Sequence, residues 1–257
     1  MFKTFKARLY PIWKLVFRLL IMKFKYKEQK KLLGSGTYKM SKSKKFKYLS
    51  EILHLAPYTR SGVNICASAS PICADVCLVS SGRGRMNSVQ KSRLNKTYYI
   101  LGNRPKFLKQ IDHEIKLSYK RAKNKGFKYT CRLNGTSDLP FERYRLENGK
   151  NLMDNNPHVQ FIDYTKIRNR FKNKLPKNYS LTFSQSEINH IDTTKLLKTK
   201  NNIAVVFRNK LPKKYKGRKV INGDKHDLRH LDPQKIIVGL TAKGKAKKDF
   251  RGFVQDV

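Results

Sequence analysis

Five short apolar segments recur in the second half of the chain, and most of them run directly into polar residues. The segments are YTCRLNGTSD (129–138), VQFIDYTK (159–166), YSLTFSQSE (179–187), NIAVVF (202–207) and KIIVGLTAKG (235–244). Near-continuous apolar runs of this length are typical of strands buried on both faces, as in parallel sheets. Most of them are followed by basic or helical stretches that suit crossover connections. The pattern predicts an α/β fold, with a single domain built on a mostly parallel sheet or an incomplete barrel.

The first half of the chain predicts one strand, one loop and two helices. The first strand is predicted at 52–57, and the loop at 61–85 is rich in Gly, Ser and Cys and has no helical or strand period. This places a cysteine-containing loop directly after the first strand. The first helix is marked by Val89, Leu94, Tyr98 and Leu101. The second helix has Pro105 in its first turn and Phe107, Leu108, Ile111, Ile115, Leu117 and Tyr119 on its apolar face.

Residues 1–48 are assigned to a basic N-terminal extension or arm, and residues 49–257 to the α/β domain. The segment 9–22, LYPIWKLVFRLLIM, resembles the apolar part of a signal peptide, but two charged residues interrupt it and no small-x-small cleavage site follows. An amphipathic surface helix, or an untranslated stretch ahead of Met22, explains it as well. We favour a dispensable extension over secretion. The chain has no run of about 18 uncharged apolar residues, which argues against a membrane span.

The charge of the chain is strongly unbalanced, with 58 Lys and Arg against 17 Asp and Glu and a formal net charge of +41. Such a charge repels itself unless a polyanion neutralises it. Nucleic acid is the obvious polyanion, because each phosphate contact releases counterions. We therefore expect DNA or RNA as a partner, with little base specificity. A merely solvated basic surface is the main alternative, and an anionic membrane surface is a minor one.

Three of the four cysteines lie in one stretch, ICASASPICADVC (65–77), in which Cys66, Cys73 and Cys77 have C-x6-C-x3-C spacing. Four cysteines are too few for a disulfide scaffold in a chain of this length. Thiolates are ligands of zinc and of iron–sulfur clusters. The spacing predicts that these three residues bind zinc or an iron–sulfur cluster, with one coordination position left open. Cys131 lies within a predicted strand and is interpreted as a small buried hydrophobic residue.

Polar side chains gather where the predicted strands end, which is where α/β folds place their functional groups. The predicted catalytic residues are Asp138, Glu142, Asp163, Lys166 and Glu187. Helix capping explains Asp138 and Glu187 about as well when each is taken singly. The sequence SSGRGRM (80–86) adds a predicted phosphate site, because its glycines permit close backbone approach and Arg83 and Arg85 suit bidentate phosphate contact. An ordinary basic turn is the alternative.

A second possible ligand group lies in NGDKHDLRHLDP (222–233). His226 and His230 are four residues apart and would share one face of a helix, with Asp224 and Asp227 close by. That spacing is compatible with a divalent metal, but a turn with helix-capping acids is the favoured explanation. His54, near the end of the first predicted strand, is a weaker candidate for completing the cysteine site.

With these segments identified, the chain resembles the phage gene product 88 family, found in bacteriophages and other mobile elements. The motifs that carry the resemblance include LHLAP (53–57), SGVNIC (61–66), VQKSRLNKT (89–97), RLNGTSD (132–138), VQFIDYTK (159–166), LTFSQSE (181–187), VINGD (220–224) and VGLTAKGKAKKD (238–249). They are co-linear from about Leu32 to Val254. The resemblance implies a phage or mobile-element protein of the host cytoplasm and assigns no activity. A more distant, fold-level likeness is to the partial barrels of radical S-adenosylmethionine proteins, whose usual C-x3-C-x2-C spacing this chain lacks.

Three functions are compatible with these features, and the sequence does not decide whether the protein is an enzyme. The first is action on nucleic acid or nucleotides through a cysteine-ligated metal or iron–sulfur site. The second is non-catalytic DNA binding with a structural metal. The third is a nickase involved in DNA replication, with Tyr98 or Tyr99 as the nucleophile. It ranks last because the chain has no His-hydrophobic-His metal motif.

Overall fold

A computed structural model of the chain describes residues 25–35 and 41–257. The strands are β1 (Leu33–Gly34), β2 (Tyr48–Leu53), β3 (Lys128–Arg132), β4 (Gln160–Thr165), β5 (Tyr179–Ser184), β6 (Ile203–Phe207), β7 (Lys214–Tyr215), β8 (Arg218–Asn222), β9 (Ile237–Thr241) and β10 (Val254–Gln255). They form one sheet in the order β1-β2-β3-β4-β5-β6-β9-β8-β7, with β10 added beside β6. Strands β3, β4, β5, β6 and β9 coincide with the five apolar segments of the sequence.

The centre of the sheet is parallel throughout. Each neighbouring pair from β2 to β6 is parallel, as are β6–β9, β8–β9 and β6–β10. Only the pairs at the two edges, β1–β2 and β7–β8, are antiparallel among the described residues. The prediction of an α/β fold with a mostly parallel, open sheet is therefore confirmed.

Two long helices follow one another directly and pack on the sheet. The helices are α1 (Pro71–Asp75), α2 (Asn87–Gly102), α3 (Arg104–Asn124), α4 (Leu152–Asn155) and α5 (His190–Leu197). Short 3-10 turns lie at Lys42–Phe46, Leu78–Ser80, Gly82–Arg85, Phe141–Arg143, Arg168–Phe171, Arg229–Leu231 and Gly244–Lys248. Asn103 separates α2 from α3 and caps α3 by accepting a hydrogen bond from the backbone of Lys106. The buried face of α3 packs on Tyr129 and Cys131 of β3, whereas Leu117, predicted for this face, is exposed.

The beginning of the domain differs from the sequence prediction. The first parallel strand is β2, at 48–53 rather than at 52–57. Leu55 and Ala56, which follow β2, are also buried, and this explains why the apolar run is longer than the strand. They are not part of β2, because the backbone N–H of Ala56 donates to Thr97 Oγ1 on α2 and not to a neighbouring strand. The segment after β2 is not an unstructured loop either, since it contains α1 and two 3-10 turns, and Cys73 lies on α1.

Part of the predicted N-terminal arm packs against the domain. Leu32 and Leu33 are buried, and β1 pairs with β2. The carboxylate of Glu114 on α3 accepts hydrogen bonds from the backbone N–H groups of both leucines. Residues 1–24, which include the signal-like segment, lie outside the described residues. In the parts of the chain that the structure describes, no helix has the length and apolar character needed to cross a bilayer.

The sheet divides next to β6. Along one edge, β6 pairs with β9 over its whole length, from Ile203 to Phe207. On its other edge β5 pairs with only the first residues of β6, through Phe183 and Ser184. The last residues of β6 pair with β10 instead. Strands β5 and β6 therefore part at their carboxyl ends, and the gap between them opens space at that edge of the sheet.

The connection from β8 to β9, residues 223–236, crosses the sheet face opposite α3. Asp227 in this connection accepts a hydrogen bond from Arg132 of β3 at 2.9 Å. His230 lies edge-on against the ring of Tyr48 on β2, with centroids 5.1 Å apart. Because side chains alternate between the faces of a strand, Arg132 points away from the α3 side on which Cys131 lies. This connection therefore covers the second face of the sheet.

Candidate functional site

A cavity of about 310 Å³ lies at the carboxyl ends of the central parallel strands. Its lining from the sheet comprises Arg132, Asn134, Gly135, Thr136, Ser137 and Asp138 at and after β3, Tyr164, Thr165 and Lys166 at the end of β4, Ser184 of β5, Val206 of β6, and Leu240 and Thr241 of β9. Ser184 and Val206 stand on the two sides of the gap between β5 and β6. The cavity thus occupies the position where open α/β sheets bind their ligands.

The opposite wall of this thiol-lined cavity contains Cys66, Cys73 and Cys77. Helix α1 presents Cys73, and it begins where Ser70 Oγ accepts a hydrogen bond from the backbone of Cys73 at 3.0 Å. Cys66 is fixed by the backbone of Tyr58, whose N–H donates to Sγ over 3.3 Å. Three cysteines that are close in sequence therefore share one cavity, while Cys131 stands apart in the hydrophobic core.

Burial opposes the thiolate form of Cys66 and of Cys73. It raises the pKa of Cys66 to about 12, and the neighbouring Cys77 and Asp138 act in the same direction, against the Tyr58 hydrogen bond. Burial also raises the pKa of Cys73, against the opposing effect of the Lys166 charge. Within residues 25–35 and 41–257, no group of three or more His, Cys, Asp or Glu side chains is arranged to hold a metal ion. The metal role of the three cysteines therefore stays a prediction.

Asp138 lines the cavity, and both oxygens of its carboxylate accept hydrogen bonds from the protein. Oδ1 accepts a hydrogen bond from Arg170 Nη1 at 2.9 Å, and Oδ2 accepts one from the backbone of Lys166 at 2.8 Å. The backbone N–H of Asp138 in turn donates to Ile65 O, next to Cys66. Asp138 therefore joins the ends of β3 and β4 to the cysteine wall.

Glu142 and Asp163 lie behind the lining rather than in it. Glu142 forms an ion pair with Arg170, which is itself fully buried. Asp163 accepts hydrogen bonds from the backbone of Asn134 at 2.8 Å and from Tyr179 Oη at 3.0 Å. Burial raises the pKa of Asp163 to about 6, against the opposing charges of Arg132 and Arg170. Both carboxylates hold the loops that form the cavity.

Lys166 is the lining cation whose charge is least neutralised. Its Nζ donates to Ser184 Oγ at 2.7 Å and lies 5.3 Å from the centroid of the Phe253 ring. The other lining cations are paired, since Arg132 bonds to Asp227 and Lys243 to Asp224. Lys166 forms no ion pair with any residue that the structure describes. An anion entering the cavity would therefore meet this ammonium group.

Glu187, the fifth predicted catalytic residue, is not part of the lining. Its Oε2 is buried without a hydrogen-bond partner in the described structure. Its charge nonetheless raises the pKa of Cys73, which indicates that it lies close to the cysteine wall. Of the five residues predicted as catalytic, the structure thus brings Asp138 and Lys166 together in the cavity and leaves the other three outside it.

The predicted phosphate site and the tyrosine candidates lie elsewhere. Arg83 and Arg85 are exposed in the turn before α2, and neither lines the thiol-lined cavity. Tyr99 is fully buried, stacked on Tyr26 with centroids 4.6 Å apart. A phosphodiester has no access to its hydroxyl there, and neither Tyr99 nor Tyr98 lines the cavity.

None of the three candidate histidines, His54, His226 and His230, is among the residues that line the thiol-lined cavity. His226 and His230 lie on a connection with a single 3-10 turn and not on one face of an α-helix. His226 Nδ1 accepts a hydrogen bond from the backbone of Leu228, and burial lowers the pKa of His230 to about 4. His54 lies behind the lining against Gly135, and burial lowers its pKa to about 3, with the charges of nearby arginines adding to the effect. These rings are packing elements of the second sheet face and of the cavity floor.

The sequence model of one family, described as Gene product 88, matches residues 22–257. The chain belongs to the gene product 88 family. No curated protein and no solved structure matches it. Membership in the gene product 88 family confirms the resemblance and the phage association that it carries, whereas the likeness to radical S-adenosylmethionine proteins finds no support.

Several residues of the site in this gene product 88 family member escaped prediction. Arg170 holds two of the predicted catalytic carboxylates, yet a single arginine in so basic a chain carries no distinguishing signal. Phe253 comes from the segment before β10, which is too short to be recognised as a strand. Arg132 and Tyr164 stack, with the guanidinium carbon 4.7 Å from the ring centroid. The only feature of the sequence that could have identified Arg132 and Tyr164 as site residues is their position at the ends of predicted strands.

Proposed function

We propose that this protein acts on a nucleotide or a nucleic acid in the thiol-lined cavity, where Cys66, Cys73 and Cys77 hold a metal ion or an iron–sulfur cluster. The observation that carries the proposal is the shared position of the three thiols and Lys166 around one cavity at the carboxyl edge of the sheet. A bound cation would favour the thiolate form that burial otherwise opposes. Lys166 would attract an anionic group of the substrate.

The donor set favours a functional metal over a purely structural one. Structural zinc sites are closed by four protein ligands, whereas catalytic sites keep one position open. Here three thiols border a space of about 310 Å³, which leaves room for a ligand to occupy the fourth position. Non-catalytic DNA binding with a structural metal is the second candidate, and the net charge of +41 is the observation that favours it.

Metal analysis of the anaerobically purified protein tests the proposal. Iron, acid-labile sulfide and zinc are measured together with the absorption spectrum, for the full chain and for the variants Cys66→Ser, Cys73→Ser and Cys77→Ser. Cys131→Ala serves as the control because Cys131 is buried away from the cavity. We expect stoichiometric metal in the full chain and the control, and a sharp loss in each of the three variants.

The alternatives give different results. Iron with sulfide identifies a cluster, and zinc alone identifies a zinc site. Full-chain protein without stoichiometric metal, or the same metal content in all four variants, would overturn the role of the cysteines. If the metal is present and its loss in a variant lowers the stability of the fold together with the affinity for an oligonucleotide, the structural-metal function is supported instead.

A further inference from the structure

A second cavity, of about 320 Å³, lies beside the thiol-lined cavity. It is lined by Ala56, Pro57, Arg60, Val79, Asn87, Gln90, Lys91, Arg93 and Leu94. Pro57 lines both cavities, so the two are neighbours. Three of the residues lining the second cavity are cationic and none is acidic, and we call it the basic cavity.

Arg93 on α2 is the unusual member of this lining. Its Nε and Nη1 atoms are buried, and neither has a hydrogen-bond partner in the described structure. A buried guanidinium without acceptors is costly, because its lost hydration is not replaced. Two other buried arginines have acceptors, since Arg170 pairs with two carboxylates and Arg218 donates to several backbone carbonyls. Arg229 also has Nε and Nη1 without hydrogen-bond partners in the described structure, but it forms an ion pair with Asp232.

The charges around Arg93 add to this demand for an anion. Burial lowers the pKa of Arg93, against the opposing effect of the neighbouring Cys77, and the positive charge of Arg60 acts in the same direction as burial. Arg60 Nη1 donates to Gln90 Oε1 at 3.2 Å, which holds it at the cavity. Lys91 is exposed at the same place. Since no carboxylate lines this space, the cationic side chains have no internal counterion there.

We propose that the basic cavity binds a phosphate group of a nucleotide or polynucleotide. Phosphate oxygens would accept hydrogen bonds from the guanidinium group of Arg93, and Arg is the side chain best shaped for forked contacts with phosphate. Arg60 and Lys91 would balance the remaining negative charge. The inference rests on the function proposed above: a phosphate held here leaves the attached nucleoside beside the thiol-lined cavity.

The experiment compares Arg93→Gln and Arg60→Gln with Arg83→Gln and Arg85→Gln. All four variants lose one positive charge, but Arg83 and Arg85 are exposed and line neither cavity. The probes are a fluorescein-labelled single-stranded oligonucleotide, followed by anisotropy, and inorganic phosphate at constant ionic strength, followed by thermal shift. We expect Arg93→Gln to weaken oligonucleotide binding about tenfold relative to Arg83→Gln, as loss of charge-assisted hydrogen bonds predicts. Phosphate should stabilise the controls and not Arg93→Gln.

Each outcome bears on the proposal. Equal weakening in all four variants, with the same phosphate stabilisation, would mean that only overall charge matters and would overturn it. Loss of phosphate stabilisation alone, with unchanged oligonucleotide binding, supports the cavity with a mononucleotide or free phosphate as its ligand. If Arg93→Gln fails to fold, Arg60→Gln and Lys91→Gln at the exposed side of the cavity give the same comparison. Metal content is measured in parallel, so a metal-free full chain would refute the role of the cysteines without deciding this test.

Discussion

Arg170 and Glu142 form a two-point ion pair behind the thiol-lined cavity, with Nε 2.9 Å from Oε1 and Nη2 2.7 Å from Oε2. Arg170 belongs to the turn after β4, and Glu142 to the turn after β3. Through Nη1, Arg170 also holds Asp138, which lines the cavity. Two residues predicted to be catalytic are therefore bound to one buried guanidinium, whose first role is to fix the loops at the carboxyl ends of these strands.

Replacing Arg170 should destabilise the fold severely. Arg170→Met removes the donors to Asp138 and Glu142 and leaves two carboxylates in a largely buried place, which costs about 3–5 kcal/mol for a broken buried pair. Urea denaturation followed by circular dichroism measures the loss in the free energy of unfolding. The control is Arg143→Met, which removes an exposed arginine from the neighbouring turn and should change stability by about 0.5 kcal/mol or less. Equal effects of the two changes would refute the proposed role of Arg170.

Stability should depend on pH through His54. Its pKa is lowered to about 3 in the folded protein, chiefly by burial, against about 6.5 in an unfolded chain. Between these values the unfolded state binds more protons, so the His54 contribution is present above pH 6.5 and is lost as the pH falls towards 3. His54→Gln should therefore flatten the decline in the free energy of unfolding between about pH 6.5 and 4.

The matched control for His54 is His113→Gln, since His113 is exposed on α3. Unfolding by urea is measured for the two variants and the unaltered chain at several pH values. Identical slopes for His54→Gln and the unaltered chain would show that His54 does not contribute to the acid sensitivity.

Lys166 should control the reactivity of Cys73. The Lys166 charge lowers the Cys73 pKa, against the dominant raising effect of burial. Lys166→Met should therefore shift the alkylation of Cys73 by iodoacetamide to higher pH in metal-free protein, because the thiolate is the reacting form. Peptide mass spectrometry reports the extent of alkylation at each cysteine. Lys172→Met, at an exposed position, should leave the profile unchanged, and a matching shift in this control would argue against a local effect.

Gly135 permits the close approach of two chain segments at the cavity floor. A Cβ atom at this position would lie 2.6 Å from His54 Nδ1 and 2.7 Å from the backbone oxygen of Leu53. Gly135→Ala should therefore cost about 1–3 kcal/mol, as overpacking does, and lower the melting temperature by roughly 2–4 °C per kcal/mol. Gly34→Ala is the control, because a Cβ there meets no atom closer than 4.0 Å. A melting temperature for Gly135→Ala equal to that of the control would show that His54 and the backbone of Leu53 move aside at little cost in stability.

Sequence alone predicted the central strands, which lie in mostly apolar segments, and missed several strands at and near the edges of the sheet. Strand β6 lies in the segment NIAVVF and strand β4 in VQFIDYTK. Both strands lie inside the sheet, and the apolar residues that this position requires made them recognisable in the sequence. Strand β8 escaped prediction because two of the five residues of its sequence, RKVIN, are basic and because the strand lies near an edge of the sheet. The two long helices were predicted from apolar spacing and from Pro105, signals that do not depend on tertiary contacts.

The site was harder to predict, because its residues are defined by partners distant in sequence. Cys66, Cys73 and Cys77 line one cavity, and the metal site predicted from their spacing stays a prediction. Nothing in the local sequence showed that Asp163 would accept a hydrogen bond from Tyr179 or that Glu142 would pair with Arg170. Arg93 carried no signal either. It stands out because its Nε and Nη1 have no hydrogen-bond partner among the residues that the structure describes, and such a feature is visible only in the folded chain.

The division of the sheet at β6 also sets an order of events during synthesis. Cys66 leaves the ribosome long before Phe253, yet both border the same cavity. Phe253 reaches that position when Val254 of β10 pairs with Val206 beside the end of β5. A nascent chain that stops before β10 therefore carries all three thiols and most of the sheet but leaves the cavity unwalled on one side. The cavity is complete only after β10 has been synthesised and has paired with β6. A chain truncated before β10 would therefore expose the three cysteines to solvent on the side where Phe253 is missing.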